Sequence, residues 1–599
     1  MDTSQQKVCQ SCKNEFFVEP EDFDFYEKIQ VPPPTRCPEC RFQRRAVTRN
    51  ERSLYRDVCD LCGKQMLSVY SPGKPFKVYC RACWNSDAWD PLEYGADYDW
   101  QKPFFQQFRE LTERVPQIGL MQLFTNVNTD YANFIADGKN IYLTYSSINS
   151  ENIYYSRSVD NSKDCMDSFN LNAGEMVYEN VDGARNYNSK YLFRSRDCIN
   201  SSFLFDCVNC QDCFMSFNLR NKRFVVRNKQ YKKEDYAKEL EKENLGNYRV
   251  TESLKEEFLR LVSSSLHKFA NITKSVNSSG DNIENSKNVK LSFDAYGSED
   301  VKFSSRVLRG SKDVYDAFGV GHRGELLYEG VASGYGSYQC RFVMFTETTR
   351  DASYVDWCLN SNHLFGCTAL RKKEYCILNK QYSREEYERL IPKIVEHMNV
   401  MPYTDKNGRI YTHGEFFPPE LSKFAYNETI AQEYLPLTRE EALREGYCWE
   451  ESEQRTYRVT KEPEDLPDYI GDALDSVIEE TIGCAHKGAC NEQCTTAFRI
   501  IAGELDFYRR MQIPLPRLCP NCRHYQRFKQ RNPLKLWRRR CMCQDKESRS
   551  MNQESRVAYT NTIQHFHGEG RCPNEFETSY APERPEIVYC EQCYQSEVI

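Results

Sequence analysis

Four CxxC pairs open the chain, at Cys9/Cys12, Cys37/Cys40, Cys59/Cys62 and Cys80/Cys83. Two cysteines flanking a two-residue turn aim both sulfurs at one point, and two such pairs supply the four thiolates of a tetrahedral structural zinc site. A lone pair reads equally well as buried or redox-active thiols, whereas an ordered series favours metal. Spacing alone fits pairing in sequence order and also a cross-braced arrangement of alternate pairs. A four-thiolate site leaves no coordination position for a substrate, so such ions fold small domains and do no chemistry.

The same series recurs near the other end. Asp24 to Arg45, DFYEKIQVPPPTRCPECRFQRR, aligns without gaps on Asp506 to Arg527, DFYRRMQIPLPRLCPNCRHYQR, and Cys62 to Cys83 aligns on Cys572 to Cys593. Cys541 then takes the place of Cys59, followed by an insertion that carries Cys543, His565 and His567 as spare candidates. The leading pair of this copy is expected to be Cys490 and Cys494, with Cys484 and His486 just upstream. The expected ligands are therefore Cys9, Cys12, Cys37, Cys40, Cys59, Cys62, Cys80 and Cys83, and Cys490, Cys494, Cys519, Cys522, Cys541, Cys572, Cys590 and Cys593. At four thiolates per ion these sixteen hold about four structural Zn²⁺. Backbone N–H groups in the CPEC and CPNC turns point at sulfur, and Arg41 and Arg523 are placed to offset thiolate charge.

Cys9 to Arg45 resembles the treble-clef zinc-ribbon domain found in many bacterial proteins: a CxxC, a Phe-containing strand, the segment FDFY, then Pro-x-Arg-Cys-x-x-Cys-Arg. The resemblance implies one zinc held by Cys9, Cys12, Cys37 and Cys40 in sequence order. The layout also resembles a group of candidate-phylum bacterial proteins, some of which carry a CoA-transferase label that nothing in these residues supports.

Arg517 to Arg540 contains nine Lys or Arg and no carboxylate, with aromatics interleaved. Guanidinium groups for phosphate and rings for base stacking make a nucleic-acid surface. The expected contacts are Arg527, Lys529, Arg531, Arg538, Arg539 and Arg540, with stacking by Trp537. The alternatives are a solvated face or an internal docking surface for acidic segments. The matching stretch Arg36 to Arg56 is diluted by Glu39 and Glu51.

Between the cysteine modules the chain turns to short strands punctuated by Asn, Asp and Ser, with KDCMDS, RDCINS and QDCFMS reusing one turn-and-strand unit. Short strands without intervening helices predict a β-solenoid. Leu219 to Tyr236 aligns without gaps on Leu370 to Tyr387, so the solenoid has two halves, each closed by a helix; Ser383 and Glu386 form a capping box in the second. The expected fold is multidomain and mainly β, with zinc-ribbon or treble-clef modules at both ends flanking a duplicated β-helix-like region with capping helices.

In chain order the expected domains are 1–100, tandem zinc ribbons; 101–131, a helical connector; 132–245, the first solenoid half; and 246–275, a helical linker. There follow 276–400, the second half; 401–450, an aromatic connector with a helix; 451–482, an acidic linker and helix; and 483–599, the second tandem zinc module.

Other motifs read as structural. Cysteines in DCVNCQDC stack inward on successive rungs, and Asp164, Asp167, Asp197 and Asp212 make turn hydrogen bonds more readily than they form a polysaccharide-cleaving pair. GVGHRG is a glycine-rich corner, because no helix is expected after it. His413 and Glu415 lack a nucleophile and anchor a loop.

A net charge of −7 over 599 residues argues against a globally basic nucleic-acid binder but permits a local basic patch. No run approaches the roughly 20 apolar residues of a membrane span. With 28 cysteines mostly in CxxC pairs and no signal-like start, a reducing cytoplasm is expected. The function expected is a non-enzymatic binding scaffold contacting RNA, ribosome or DNA through its carboxy-terminal module. The alternative is a protein–protein scaffold using the solenoid face, and a carbohydrate- or acyl-group enzyme comes last.

Overall fold

From Gln122 to Val226 the chain pairs in parallel with itself, thirteen residues on at the first pairing, Gln122↔Ile135, and mostly twelve thereafter, as in Cys165↔Val177, Val177↔Ser189, Leu192↔Leu204 and Cys213↔Val225. The computed structural model describes residues 4–451, 457–543 and 561–599. A second parallel stack runs from Ile272 to Ile377 with steps of eleven to thirteen residues, as in Ile272↔Ile283, Ile283↔Ala295 and Val301↔Val314.

The backbone of the first stack explains its composition. Every third residue from Phe134 to Phe224 has φ between 42° and 59°, the left-handed region, so each twelve-residue step has four sharp corners. Asn and Asp tolerate that conformation better than other non-glycine residues, and they recur at the corners. There their side chains form ladders: Asn128 donates to Asn140, Asn140 to Asn152 and Asn152 to Asp164, at 2.8–2.9 Å. The bulky corner residue Phe203 lies in strand Ser202–Phe205, which is paired on both sides.

Corners so close together leave a narrow interior that takes small or slim side chains. Ile153, Val159, Cys165, Leu171 and Val177 fill one part of it, and Cys198, Cys207, Cys210 and Cys213 lie with Leu192 and Leu204 in the next. Buried serines complete it by bonding along and across steps. Ser156 Oγ donates to Tyr154 O at 2.8 Å and accepts the Ser168 N–H at 3.0 Å. Ser156→Ala leaves that buried N–H without an acceptor and is expected to cost about 1–3 kcal/mol, read as a lower denaturation midpoint.

Both stacks end alike. An antiparallel pairing, Val225↔Gln230 or Cys376↔Gln381, leads into a helix, Lys233–Glu241 or Arg384–Val400. The Ser383/Glu386 capping box forms, as does that of Thr438 and Glu441. GVGHRG connects strands Lys312–Val320 and Glu325–Val331, with no helix opening there. The acidic stretch expected to be a helix after Tyr469 is instead two short 3-10 turns, Ile470–Asp472 and Asp475–Glu479. Only Ile470 and Val477 are buried in them, too little apolar surface for a helical face. Part of the expected linker before it, 452–456, lies outside the described residues.

The chain does not assemble in sequence order. One compact unit comprises Met1–Leu120, Ala270–Glu451 and Leu534–Leu536; the other comprises Met121–Phe269, Ser452–Pro533 and Trp537–Ile599. Each cysteine module therefore folds with the stack distant from it in sequence. In the aromatic 401–450 segment Phe416 and Phe417 are buried within the first unit.

Candidate metal centres

Four clusters of four cysteines converge, each with its ligand atoms within 4.8 Å of one another. The local fold that makes them is the same each time. Antiparallel strands Gln5–Val8 and Glu15–Val18 carry the turn with Cys9 and Cys12, and Tyr55–Val58 with Gln65–Ser68 carry Cys59 and Cys62. The third cysteine then stands immediately before a helix: Cys37 before Pro38–Ala46, Cys80 before Arg81–Trp84, Cys519 before Pro520–Phe528 and Cys590 before Glu591–Val598. A helix start favours a thiolate there. The N–H of this third cysteine donates to the first sulfur in every cluster, Cys37 to Cys9, Cys80 to Cys59, Cys519 to Cys484 and Cys590 to Cys541, at 3.2–3.3 Å.

The geometry fits a metal ion. A tetrahedron of sulfurs about 2.3 Å from zinc has edges of about 3.8 Å. The sulfurs stand 3.7 Å apart in Cys12/Cys37, 3.9 Å in Cys62/Cys80 and 3.9 Å in Cys572/Cys590. None of these cysteines is in a disulfide. Neighbouring thiols and N–H groups already favour ionisation of some members: hydrogen bonds led by Cys40 hold Cys37 at about 5, and those led by Cys541 hold Cys590 at about 4.

In the first copy the clusters are Cys9, Cys12, Cys37 and Cys40, then Cys59, Cys62, Cys80 and Cys83, each pairing in sequence order. In the second copy Cys541, Cys572, Cys590 and Cys593 converge as aligned, whereas the leading cluster is Cys484, Cys494, Cys519 and Cys522. Cys484 holds the position equivalent to Cys9, its sulfur accepting the Cys519 N–H. Cys490 remains beside it, its sulfur 3.6 Å from that of Cys522. The irregular spacing of Cys484, Cys490 and Cys494 hid this, because only the N–H bond from Cys519 distinguishes the first ligand.

Arg41 and Arg523 do not offset thiolate charge. They turn away from sulfur into buried carboxylates: Arg41 Nε lies 2.9 Å from Asp316, and Arg523 Nη1 lies 2.7 Å from Asp167. Arg527 shares Asp167 at 2.7 Å, and Arg45 shares Asp316 at 3.3 Å. Arg36 and Arg44 both reach Glu415, and Arg44 also reaches Glu329 at 2.6 Å. Burial alone would raise the Glu415 pKa, but Arg44 and Arg36 hold it below the usual carboxylate range. In the other unit burial raises Glu504 despite Arg523; it accepts hydrogen bonds from Tyr155 and Tyr508.

The expected nucleic-acid contacts are thus dispersed. Arg527 is buried on Asp167, and Arg531, with a side chain 7 % exposed, pairs with Asp182. Neither guanidinium is available to a phosphate, which corrects both assignments. Lys529 pairs with Glu492, and exposed Arg538 and Arg540 flank Glu575. Arg539 is half-buried and donates to Ala581 O, and Trp537 is half-buried at the start of strand Trp537–Arg540. The signal for inward burial was the helical spacing of Arg41, Arg44 and Arg45 on one short helix, which matches the internal-docking alternative.

Asp197 pairs with Arg185, and Asp164 accepts from Asn152, as turn residues. His413 is a half-buried loop residue, its pKa lowered to about 4 by burial and by Arg341. No helix among the described residues is long and apolar enough to cross a membrane. No protein-family model matches this chain, and no curated protein matches it.

Proposed function

We propose that this protein is a non-enzymatic, zinc-binding scaffold, built from two β-solenoids that each carry a tandem zinc-ribbon module clamped to their side. The observation that carries the reading is the recurrence of one thiolate tetrahedron, with one N–H···S bond, in four places. Four sulfurs around zinc leave no site for substrate, so the ions serve structure. The carboxylates nearest to an enzymatic reading, Asp167 and Glu415, are occupied by arginines.

The inward arginines favour a protein partner over nucleic acid. Phosphate contacts would have to come from Lys529, Arg538 and Arg540, each of which has a carboxylate beside it. Zinc analysis of the purified chain, together with retention of RNA and DNA from low to high salt, tests both parts. Zinc near or above four equivalents with no salt-labile nucleic acid is the expected result. Absence of zinc would sink the scaffold as proposed, and a steep salt dependence would reinstate the nucleic-acid surface.

A further inference from the structure

The second cysteine module contains an insertion that the first lacks, and its three metal-binding side chains come together. Cys543 Sγ lies 2.9 Å from His565 Nδ1 and 3.4 Å from His567 Nε2. His567 Nε2 lies 3.5 Å from Cys593 Sγ. All four ligand atoms fall within 4.8 Å of one another, and Cys593 also belongs to the Cys541, Cys572 and Cys590 cluster. For zinc bonds of about 2.3 Å to sulfur and 2.0–2.1 Å to nitrogen, a tetrahedral S–N edge is about 3.5 Å. Both contacts of His567 match it.

The far side of each imidazole is fastened. His567 Nδ1 faces the carbonyl of Gly570 at 2.8 Å, and a carbonyl can only accept, so the proton sits on Nδ1 and the Nε2 lone pair faces the sulfurs. His565 Nε2 donates to Glu597 at 2.7 Å, with both side chains fully buried, which leaves its Nδ1 lone pair toward Cys543. Glu597 is itself set by the N–H and hydroxyl of Thr562. A carboxylate or carbonyl behind a histidine is the arrangement that orients metal ligands. Asn561 Nδ2 donates to Cys543 Sγ at 3.0 Å.

We propose that Cys543, His565 and His567 bind a further zinc ion, with Cys593 as a thiolate shared between it and the Cys541–Cys572–Cys590 site. The module then holds a two-metal cluster with one bridging sulfur. This rests on the zinc reading above and raises the count for the chain from four to five.

Plasma mass spectrometry on the full-length protein is the test. Five zincs per chain are expected in the wild type, and four in His567→Gln and in His565→Gln. Iodoacetamide should label Cys543 in either variant but leave it protected in the native holo-protein. Four zincs in the wild type would overturn this site and leave the four-cluster reading standing, whereas none would overturn both. Five that remain five in both variants would place the fifth ion elsewhere and also defeat the proposal. A wild-type count of four overturns the site even if a variant fails to fold, and with five in the wild type, protection of Cys543 from iodoacetamide in the native protein, lost after chelation, places the fifth ion there.

Discussion

With zinc in the four clusters as proposed, its removal is expected to unfold both cysteine modules while leaving much of the parallel stacks intact. Structural zinc contributes about 10–16 kcal/mol of apparent binding free energy near neutral pH, and for such small modules that is folding free energy. Helix Pro38–Ala46 buries three arginines and Ala46 but little other apolar surface of its own, so its order depends on Cys37 and Cys40 being tied to Cys9 and Cys12. The stacks contain none of the ligand cysteines; their interiors are closed by Val, Ile, Leu and inert buried thiols such as Cys165, pushed up to about 12 by burial. Hydrogen exchange after exhaustive chelation should show protection lost across Gln5–Val47 and retained in the inner strands around Cys165 to Phe205. Cys37→Ser should reproduce the first loss alone. Acidification acts in the same direction, since protons compete with zinc for thiolates and the metal's contribution is lost as pH falls. A Pro38–Ala46 helix that keeps its protection without metal would refute a structural role for that ion.

Asp167→Ala should be the most damaging single change in the second unit outside the metal ligands. It strands Arg523 and Arg527, whose side chains are 5 % and 3 % exposed, without the carboxylate that both use. Removing one partner of a buried ion pair costs about 3–5 kcal/mol, because the remaining charge is left desolvated. Glu504 offers Arg523 only a longer contact of 3.6 Å, so it does not substitute. The effect should appear as a large fall in the unit's denaturation midpoint and as proteolytic release of the module, with wild-type zinc content before unfolding. Replacing Asp167, Arg523 and Arg527 together by apolar residues of similar size should recover most of the loss, since the pair's net contribution is small even though breaking it is costly. If Asp167→Ala shifts stability by less than about 1 kcal/mol, the arginines are hydrated and the clamp reading fails.

The cysteine clusters were legible where the ligand pair and its turn lie within a few residues. Cys9/Cys12, Cys37/Cys40, Cys59/Cys62 and Cys80/Cys83 each occupy one local hairpin or helix start, so spacing determines geometry there. Cys484 stood in the sequence only as an upstream neighbour of the expected pair, because its place is set by a hydrogen bond from Cys519, thirty-five residues away. The repeating strands announced themselves through Asn, Asp and Ser, the residues that tolerate left-handed corners or bond to their own backbone. Nothing in the composition stated the twelve-residue step, because corners such as Tyr155 and Phe203 break the pattern of small polar residues.

What the sequence determined by itself was local: the cysteine turns, the capping boxes at Ser383 and Thr438, and the duplication of both module types. Only the tertiary structure decided where the arginines point and which stack each module joins. Arg523 meets Asp167 across 356 residues of chain, and Arg44 meets Glu329 across 285. A basic helix looks the same in sequence whether its guanidiniums face solvent, phosphate or a buried carboxylate. Its direction is set by desolvation and charge pairing with a partner that arrives only when the chain has folded.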